Sequence, residues 1–283
     1  NNKVSCGSCH HQDKAFADGQ KVSLGFTTKL TERNSMAIIN PILQNNLFWD
    51  SRARTLHDLS LQPVQNHIEM GLEIIDVLPY KLSQKSYYKQ LFKDAFGDED
   101  ITTERVSEAL SQFVGSITSA NSKFDKGELN EIEKKGLDLF TKNCSTCHSG
   151  ANFAADDSPG GEYGANFGTG EDLRGATNIG LDLVSKDKGV GNGKFRIPSL
   201  RNIMLTAPYM HDGRFKTIDE VLDHYASGIK SSPDLDKKLK NANGSVKFIK
   251  MNEAEKLAIK SFLHTLTDYE LLKDPKYSDP FVN

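Results

Sequence analysis

Cys-x-x-Cys-His occurs twice in this chain, as Cys6-Gly-Ser-Cys9-His10 and as Cys144-Ser-Thr-Cys147-His148, and the two copies use all four cysteines. Two thiols three positions apart reach the two vinyl groups on one edge of a porphyrin, and the histidine that follows is placed to bind the iron. The pair of motifs therefore points to two covalently attached c-type haems. Other uses of paired cysteines fit less well. A zinc ribbon also employs Cys-x-x-Cys pairs, but its pairs sit closer together in sequence and rarely both end in histidine. A thioredoxin-like redox site wants one Cys-x-x-Cys in a βαβ context that is missing here.

Haem of this type is attached outside the cytoplasmic membrane, where spare thiols tend to pair as disulfides, and this chain has none to spare. It opens Asn1-Asn-Lys-Val-Ser5 with neither a basic n-region nor an apolar h-region, and no segment is apolar over the roughly 18 residues a span requires. The expectation is a mature, soluble, periplasmic protein with no membrane span. A length of 283 residues allows two domains of ordinary size, and 37% hydrophobic content supports packed cores to which haems would add. The net charge of −3 leaves no nucleic-acid footprint. With haem propionates added the charge is more negative still, which is compatible with a basic or locally complementary redox partner without demanding one.

The wide separation of the motifs implies one haem in each of two cytochrome-c-like domains, although the halves are not clean repeats. Val106, Leu110, Phe113 and Ile117 recur with helical spacing, and the polar stretch from Ser119 to Asp125 then breaks the pattern. This places an N-terminal domain over 1–122, a C-terminal domain over 123–266, and a tail over 267–283 expected to pack back on the first domain. A helix from Glu131 to Lys142 leads into Cys144. Thr217 with Glu220, and Asn252 with Glu255, form helix-opening pairs ahead of apolar faces. Eleven of the 22 glycines lie between Gly150 and Gly193, so neither regular helix nor sheet is expected there, only loops wrapping the haem edge and the domain interface. Gly189-Val-Gly191-Asn-Gly193 lacks the flanking strand and helix of a dinucleotide site. Strand signals are sparse, and the expected class is mainly α with long haem-wrapping loops.

Between the haem motifs stand Arg33-Asn34, Asn40-Pro41, Phe48-Trp49-Asp50-Ser-Arg52 and Pro63-Val-Gln-Asn66-His-Ile-Glu69-Met70. After the second come Ile197-Pro198-Ser-Leu200-Arg201-Asn202 and Thr206-Ala-Pro208-Tyr209-Met-His211-Asp-Gly213. In order and spacing these resemble the bacterial dihaem cytochrome c peroxidases and their MauG-type relatives, nearly end to end. One family element, the helix before the first haem motif, would lie ahead of Asn1.

The resemblance implies a peroxidatic haem on Cys6, Cys9 and His10 and an electron-receiving haem on Cys144, Cys147 and His148. Glu69 matches the family's catalytic glutamate. Heterolysis of an O–O bond needs a group that takes a proton from the inner oxygen and gives it to the departing one. A carboxyl whose pKa is raised in an apolar pocket can do both, whereas the commonest fate of a glutamate is the surface. Trp49, the only tryptophan, matches the residue between the haems, where an aromatic ring can bridge electron transfer; a large core side chain would suit the same position.

Some positions depart from the best-known peroxidases. Phe26 stands where many members carry a displaceable distal histidine, and phenylalanine cannot bind iron, so the first haem is expected to be five-coordinate on His10. Leu59 stands where the family often has a pocket glutamine, with Gln62 as a stand-in, and His67 is a candidate assistant to Glu69. Tyr225, fourteen residues after His211, stands where electron-accepting peroxidases have Met and MauG-type enzymes have Tyr. A phenolate favours Fe(III) and higher states. Met204, Met210, His224 and Met251 remain alternatives as ligands. The resemblance also implies a calcium ion between the haems, with Asn34, Thr206 and Pro208 at the matching positions, although such residues are ordinary loop formers too.

The function implied first is reduction of hydrogen peroxide to water, with electrons from a small cytochrome c or cupredoxin relayed through the second haem. The alternative is a MauG-like oxidase that modifies a partner protein through coupled high-valent haems. A plain dihaem electron carrier comes third, because Glu69 and Phe26 argue against two irons saturated by protein ligands. Family peroxidases are often homodimers.

Overall fold

The computed structural model describes residues 3–44, 46–154 and 175–280. Helices α1 (Leu56–Ser60), α2 (Gln62–Gln65), α3 (Val77–Ser83), α4 (Ser86–Phe96) and α5 (Thr103–Gly115) lie in the first half. Helices α6 (Glu131–Asn143), α7 (Ile218–Asp223) and α8 (Glu253–His264) lie in the second. The one regular sheet among the described residues pairs β1 (Ala176–Thr177) antiparallel with β2 (Phe195–Arg196). The chain is thus mainly α with long connections. Glycine content predicts no strand between Gly150 and Gly193, and β1 corrects that reading: two residues free of glycine suffice for one antiparallel step, which Ile197 N–H extends to the Gly175 carbonyl at 2.7 Å. Residues 155–174 of that stretch lie outside the described residues.

Helix starts follow local chemistry. Asn130 with Glu133, Thr217 with Glu220, and Asn252 with Glu255 each form a reciprocal capping box at the N-terminus of α6, α7 and α8. Each satisfies two N–H groups that the first turn leaves without helical partners, and such a cap is worth about 1 kcal/mol. Helix α6 stops where Cys144 N–H bonds the Phe140 carbonyl at 2.7 Å, so the second haem motif begins as the helix ends.

The largest apolar cluster packs Phe140, Phe153, Ile218, Leu222, Ile259, Phe262, Leu263 and Leu266 between α6, α7 and α8. Phe262 is its hub, with ring centroids 5.1–5.9 Å from Phe124, Phe140 and Phe153. Burying each such ring stabilises by roughly 1.5–3 kcal/mol. A second cluster joins Ala15, Phe16, Ile39 and Ile117 to Leu271. The C-terminal segment reaches these residues because Gln12 Nε2 donates to the carbonyls of Leu271 (3.0 Å) and Asp274 (2.8 Å), while the Tyr277 hydroxyl donates to the Ser116 carbonyl.

The two halves meet at a knot of buried polar side chains. Asn40 Nδ2 donates to the Ser119 carbonyl (2.9 Å), and its Oδ1 accepts from Ser119 N–H (2.7 Å). Asn202 Nδ2 donates to Ser119 Oγ (2.9 Å), while Asn202 Oδ1 accepts from Asp268 N–H (2.8 Å). Asp268 Oδ2 in turn accepts from Ala120 and Asn121 N–H at 3.1 and 3.0 Å. All four side chains are buried, Ser119 and Asn202 completely. Beside the knot Arg201 forms a bidentate pair with Asp125 (2.8 and 2.9 Å) and donates from Nε to the Ala151 carbonyl, just after the second motif.

At Gly136 helix α6 lies hard against α8, where a Cβ would sit 2.0 Å from the Ala258 carbonyl oxygen and 2.8 Å from Phe262 Cβ. Gly136→Ala gains about 1 kcal/mol of helix propensity but forces the helices apart, at a cost of roughly 1–3 kcal/mol or more. Thermal unfolding of the haem-loaded variant should therefore begin at a lower temperature than in the wild type, and an unchanged or higher midpoint would contradict this packing.

Candidate active site

Both Cys-x-x-Cys-His segments fold into the same small device. Each coils through one turn, with His10 N–H on the Cys6 carbonyl (3.0 Å) and His148 N–H on the Cys144 carbonyl (2.9 Å). A short backbone bridge follows in each, His11 with Ala17 and Ser149 with Ala154. Just before the bridge closes, Phe16 and Phe153 take left-handed backbone conformations, with φ of 59° and 48°. Their carbonyls turn toward the histidines and bond His10 Nδ1 at 2.8 Å and His148 Nδ1 at 3.1 Å. A carbonyl can only accept, so Nδ1 carries the proton and Nε2 keeps its lone pair. Burial pushes both imidazoles down, His148 to about 4, so each ring is neutral. Neutral histidines held by backbone carbonyls, those of Phe16 and Met36 for His10 and of Phe153 and Pro198 for His148, beside paired thiols, are a donor set that suits a covalently bound haem. Sequence reasoning missed the two Phe carbonyls, although the shared Phe-Ala dipeptide after each motif was a signal.

A cavity of about 380 Å³ opens at the second motif. Cys144, Cys147 and His148 line it, with Phe140, Ile197, Leu222 and Leu263 among its apolar walls, so size and lining suit a porphyrin. Tyr225 lines the same cavity, on the single π-helical turn His224–Gly228 that follows α7. Such turns are frequent at functional sites because they re-aim one side chain. Burial pushes its phenol well above the ordinary value. Of the other ligand candidates, Met210 also lines this cavity. His224 Nε2 is engaged by the Ile179 carbonyl at 3.0 Å, and Met204 and Met251 pack against the α6–α8 core.

Trp49, Asn34, Thr206 and Pro208 line this cavity as well, so residues from both halves of the sequence converge there. Trp49 Nε1 donates to the Asn34 carbonyl at 2.9 Å, and Asn34 N–H donates to the His211 carbonyl at 2.7 Å. The next residue, Ser35, lines the second cavity yet donates from Oγ to the Cys9 carbonyl at 3.1 Å. The segment 34–36 therefore touches the first motif and borders the cavity of the second, a link that no local sequence pattern announces. Among the described residues no group of three His, Cys, Asp or Glu side chains could hold a metal ion.

At the first motif the chain brings Glu69 close. Burial raises the Cys9 thiol most, and the carboxylates of Asp18 and Glu69 lie near enough to raise it further. Asn66 holds the glutamate, with Nδ2 donating to Glu69 Oε1 (3.1 Å) and Oδ1 accepting from the N–H groups of Ile68 (2.8 Å) and Glu69 (3.2 Å). Phe26 N–H bonds the carbonyls of Ile68 and Glu69, and its ring packs on Gly71, whose φ of 68° and close approach leave no room for a side chain. Burial pushes the Glu69 carboxyl up, against a downward pull from the Arg52 guanidinium. Arg52 is itself tied to Asp50 (2.8 Å) and, through Nε, to Gln62 Oε1 (3.3 Å), and it lies over the Phe48 ring at 3.5 Å. Gln62 thus reaches Glu69 only through Arg52, and His67 is exposed to solvent.

Residues 1–132 match the family model described as di-haem cytochrome c peroxidase. The methylamine utilization protein MauG of Methylophilus methylotrophus is 29% identical over 244 residues, which cover 79% of this chain and 67% of that protein. Cytochrome c peroxidase Ccp of Escherichia coli is 32% identical over 225 residues, 76% of this chain and 47% of its own length. Among solved structures, a MauG-like protein associated with microbial copper homeostasis superposes with a TM-score of 0.82 at 32% identity, covering 99% of this chain and 88% of that one. The diheme peroxidase BthA from Burkholderia thailandensis E264 shares the fold at 20% identity and a TM-score of 0.70, covering 95% of this chain and 82% of that one. Among the described residues no helix is long and apolar enough to cross a membrane. With both haem-attachment motifs intact and a relative matching over almost all of its length, the chain belongs to the dihaem cytochrome c peroxidase and MauG family of oxidoreductases.

Proposed function

We propose that this oxidoreductase reduces hydrogen peroxide at the centre built on Cys6, Cys9 and His10, and that electrons reach it through the centre built on Cys144, Cys147 and His148. Each centre belongs to one cytochrome-c-like unit, 1–122 and 123–266, with 267–283 as a tail, and the protein works in the periplasm. The observation that carries this reading is the half-buried Glu69 carboxyl, oriented by Asn66 beside Cys9 with a non-ligating Phe26 against its backbone. When bound, haem supplies the iron that binds peroxide oxygen and exchanges electrons with it.

Glu69 moves one proton. Its carboxylate takes it from the inner peroxide oxygen and returns it to the outer one, which leaves as water. Two electrons and two protons turn one peroxide into two waters; the proton Glu69 moves is the peroxide's own, so both added protons come from solvent and both electrons from a small cytochrome c or cupredoxin. Arg52 keeps Glu69 ionised often enough to accept the first proton, while burial keeps it basic enough to do so usefully. Trp49 carries electrons between the centres, a role supported by its lining of the second cavity and its bond to the segment that touches Cys9. Asn34, Thr206 and Pro208, brought to one rim, are the proposed calcium position.

Tyr225 favours a second reading. A phenol aimed into the second cavity suits a centre that shares oxidising equivalents rather than one that stores a donor's electron, as in MauG-type oxidation of a partner protein. Rapid turnover with peroxide and a reduced small donor supports the peroxidase. Persistence of the oxidised state in the presence of that donor supports the oxidase.

Glu69→Gln should slow the reaction of the resting enzyme with peroxide by roughly 10²–10⁴-fold in stopped-flow absorbance, with both haems attached; an undiminished rate would remove Glu69 from the chemistry. Arg52→Gln deletes a cation that favours the carboxylate, so the Glu69 pKa rises further and the acid limb of the pH–rate profile moves to higher pH. Trp49→Phe forfeits one hydrogen bond, about 1 kcal/mol, yet should slow electron exchange between the haems far more than it lowers the melting temperature. Equal exchange rates in the folded variant would assign Trp49 to packing alone.

A further inference from the structure

The run Lys237-Lys-Leu-Lys-Asn-Ala-Asn-Gly-Ser-Val-Lys-Phe-Ile-Lys250 carries five lysines and no carboxylate, in a chain whose net charge is −3. The fold lays this run along the mouth of the second cavity, where Lys238, Lys247 and Lys250 all border it. Lys238 Nζ donates to the Thr146 carbonyl at 2.6 Å, inside the second Cys-x-x-Cys-His motif. Lys142 is exposed on the last turn of α6, two residues before Cys144. Lys142 and Lys238 therefore stand beside the second pair of cysteines, and Lys247 and Lys250 border the same cavity.

Neighbouring carboxylates on the rim are already committed. Asp236 accepts from the Thr177 hydroxyl at 2.7 Å and from Lys238 N–H at 2.8 Å, and Asp182 is paired with Arg214 at 2.8 Å. Among the described residues Lys237, Lys247 and Lys250 are exposed and carry no ion pair, while Asp234 is the nearest exposed acid in sequence. Apolar surface also adjoins the cavity lining. Leu183 and Val184 are 65% and 80% exposed, between Asp182 and Ser185, which line the cavity. An apolar spot bordered by like charges is the usual anatomy of a transient docking surface.

We propose that the lysine rim around the second cavity docks a small acidic redox protein, whose metal edge seats against Leu183 and Val184. The proposal rests on electron entry at the His148 centre and adds the sign of the donor's surface. Whole-chain charge points to a basic partner, but a donor at close range meets the local field rather than the sum.

The test compares two reduced donors, a cupredoxin with an acidic face and a basic cytochrome c, for their bimolecular rates of reducing the resting holoprotein across a salt series. The acidic cupredoxin should be the faster at low ionic strength and should slow as salt rises. K237E/K247E/K250E should cut its rate by about 10-fold or more and invert the salt dependence, with haem spectrum and melting temperature unchanged. Equilibrium binding of the oxidised cupredoxin to the resting protein, which involves no turnover, should weaken in parallel. A faster basic donor, or a triple variant with wild-type rates at every salt concentration, would overturn the proposal. So would lysine-dependent sedimentation with phosphatidylserine vesicles while donor rates stay unchanged, since the rim would then be a membrane contact. Lysine-dependent reduction by the acidic donor in a protein that does not consume peroxide would keep this inference and remove the peroxidase reading instead.

Discussion

The arrangement of the whole chain depends on buried amide hydrogen bonds at the junction of its halves. Asn40 and Asn202 reach across to Ser119 and Asp268, and every one of these side chains is shielded from water. An unpaired polar group in such a place costs about 1–3 kcal/mol, so losing one partner penalises several segments together. Both asparagines take left-handed backbone conformations, φ 47° and 58°, which Asn tolerates far better than a branched residue does. The knot fixes residue 40 against 119, and 202 against 268. Arg201, next in line, bonds the Ala151 carbonyl. The spacing between the two histidine-bearing turns is thereby set by side-chain amides rather than by apolar packing alone.

Within each half, apolar burial then does the shaping. Phe140, Phe153 and Phe262 hold α6 and α8 around the second motif, while Leu271 returns from the C-terminal end to cover Ala15 and Phe16 behind the first. A residue more than two hundred positions away thus helps hold the carbonyl that orients His10. The site is built by long-range closure as much as by the motifs.

That balance decides what the sequence reveals. The two Cys-x-x-Cys-His motifs, the caps at Thr217 and Asn252, and the helix into Cys144 are local patterns, and each is legible without coordinates. Helices α3 and α4 escaped notice because they leave Val77, Tyr80, Tyr87 and Leu91 exposed, and so lack a clean buried stripe. Phe113, spaced as a core residue, is half exposed and meets Tyr277 only edge-on. Asn40 and Asn202 stand in segments read only for their family resemblance, and their partners lie dozens of residues away, where no spacing rule connects them. The same holds for Arg52, whose closeness to Glu69 depends on how two loops cross.

The anchoring of both histidines by main-chain oxygens has a consequence for how this protein can change. Where a carboxylate side chain holds a ligating imidazole, a single codon change can remove it and retune the metal. Here the acceptors belong to the peptide units of Phe16 and Phe153, and every amino acid at those positions still presents a carbonyl. Adjusting the electron affinity of either centre by this route requires a change in loop length or backbone twist. Drift by point substitution leaves these two anchors of His10 and His148 in place and directs variation to the other side chains around each site.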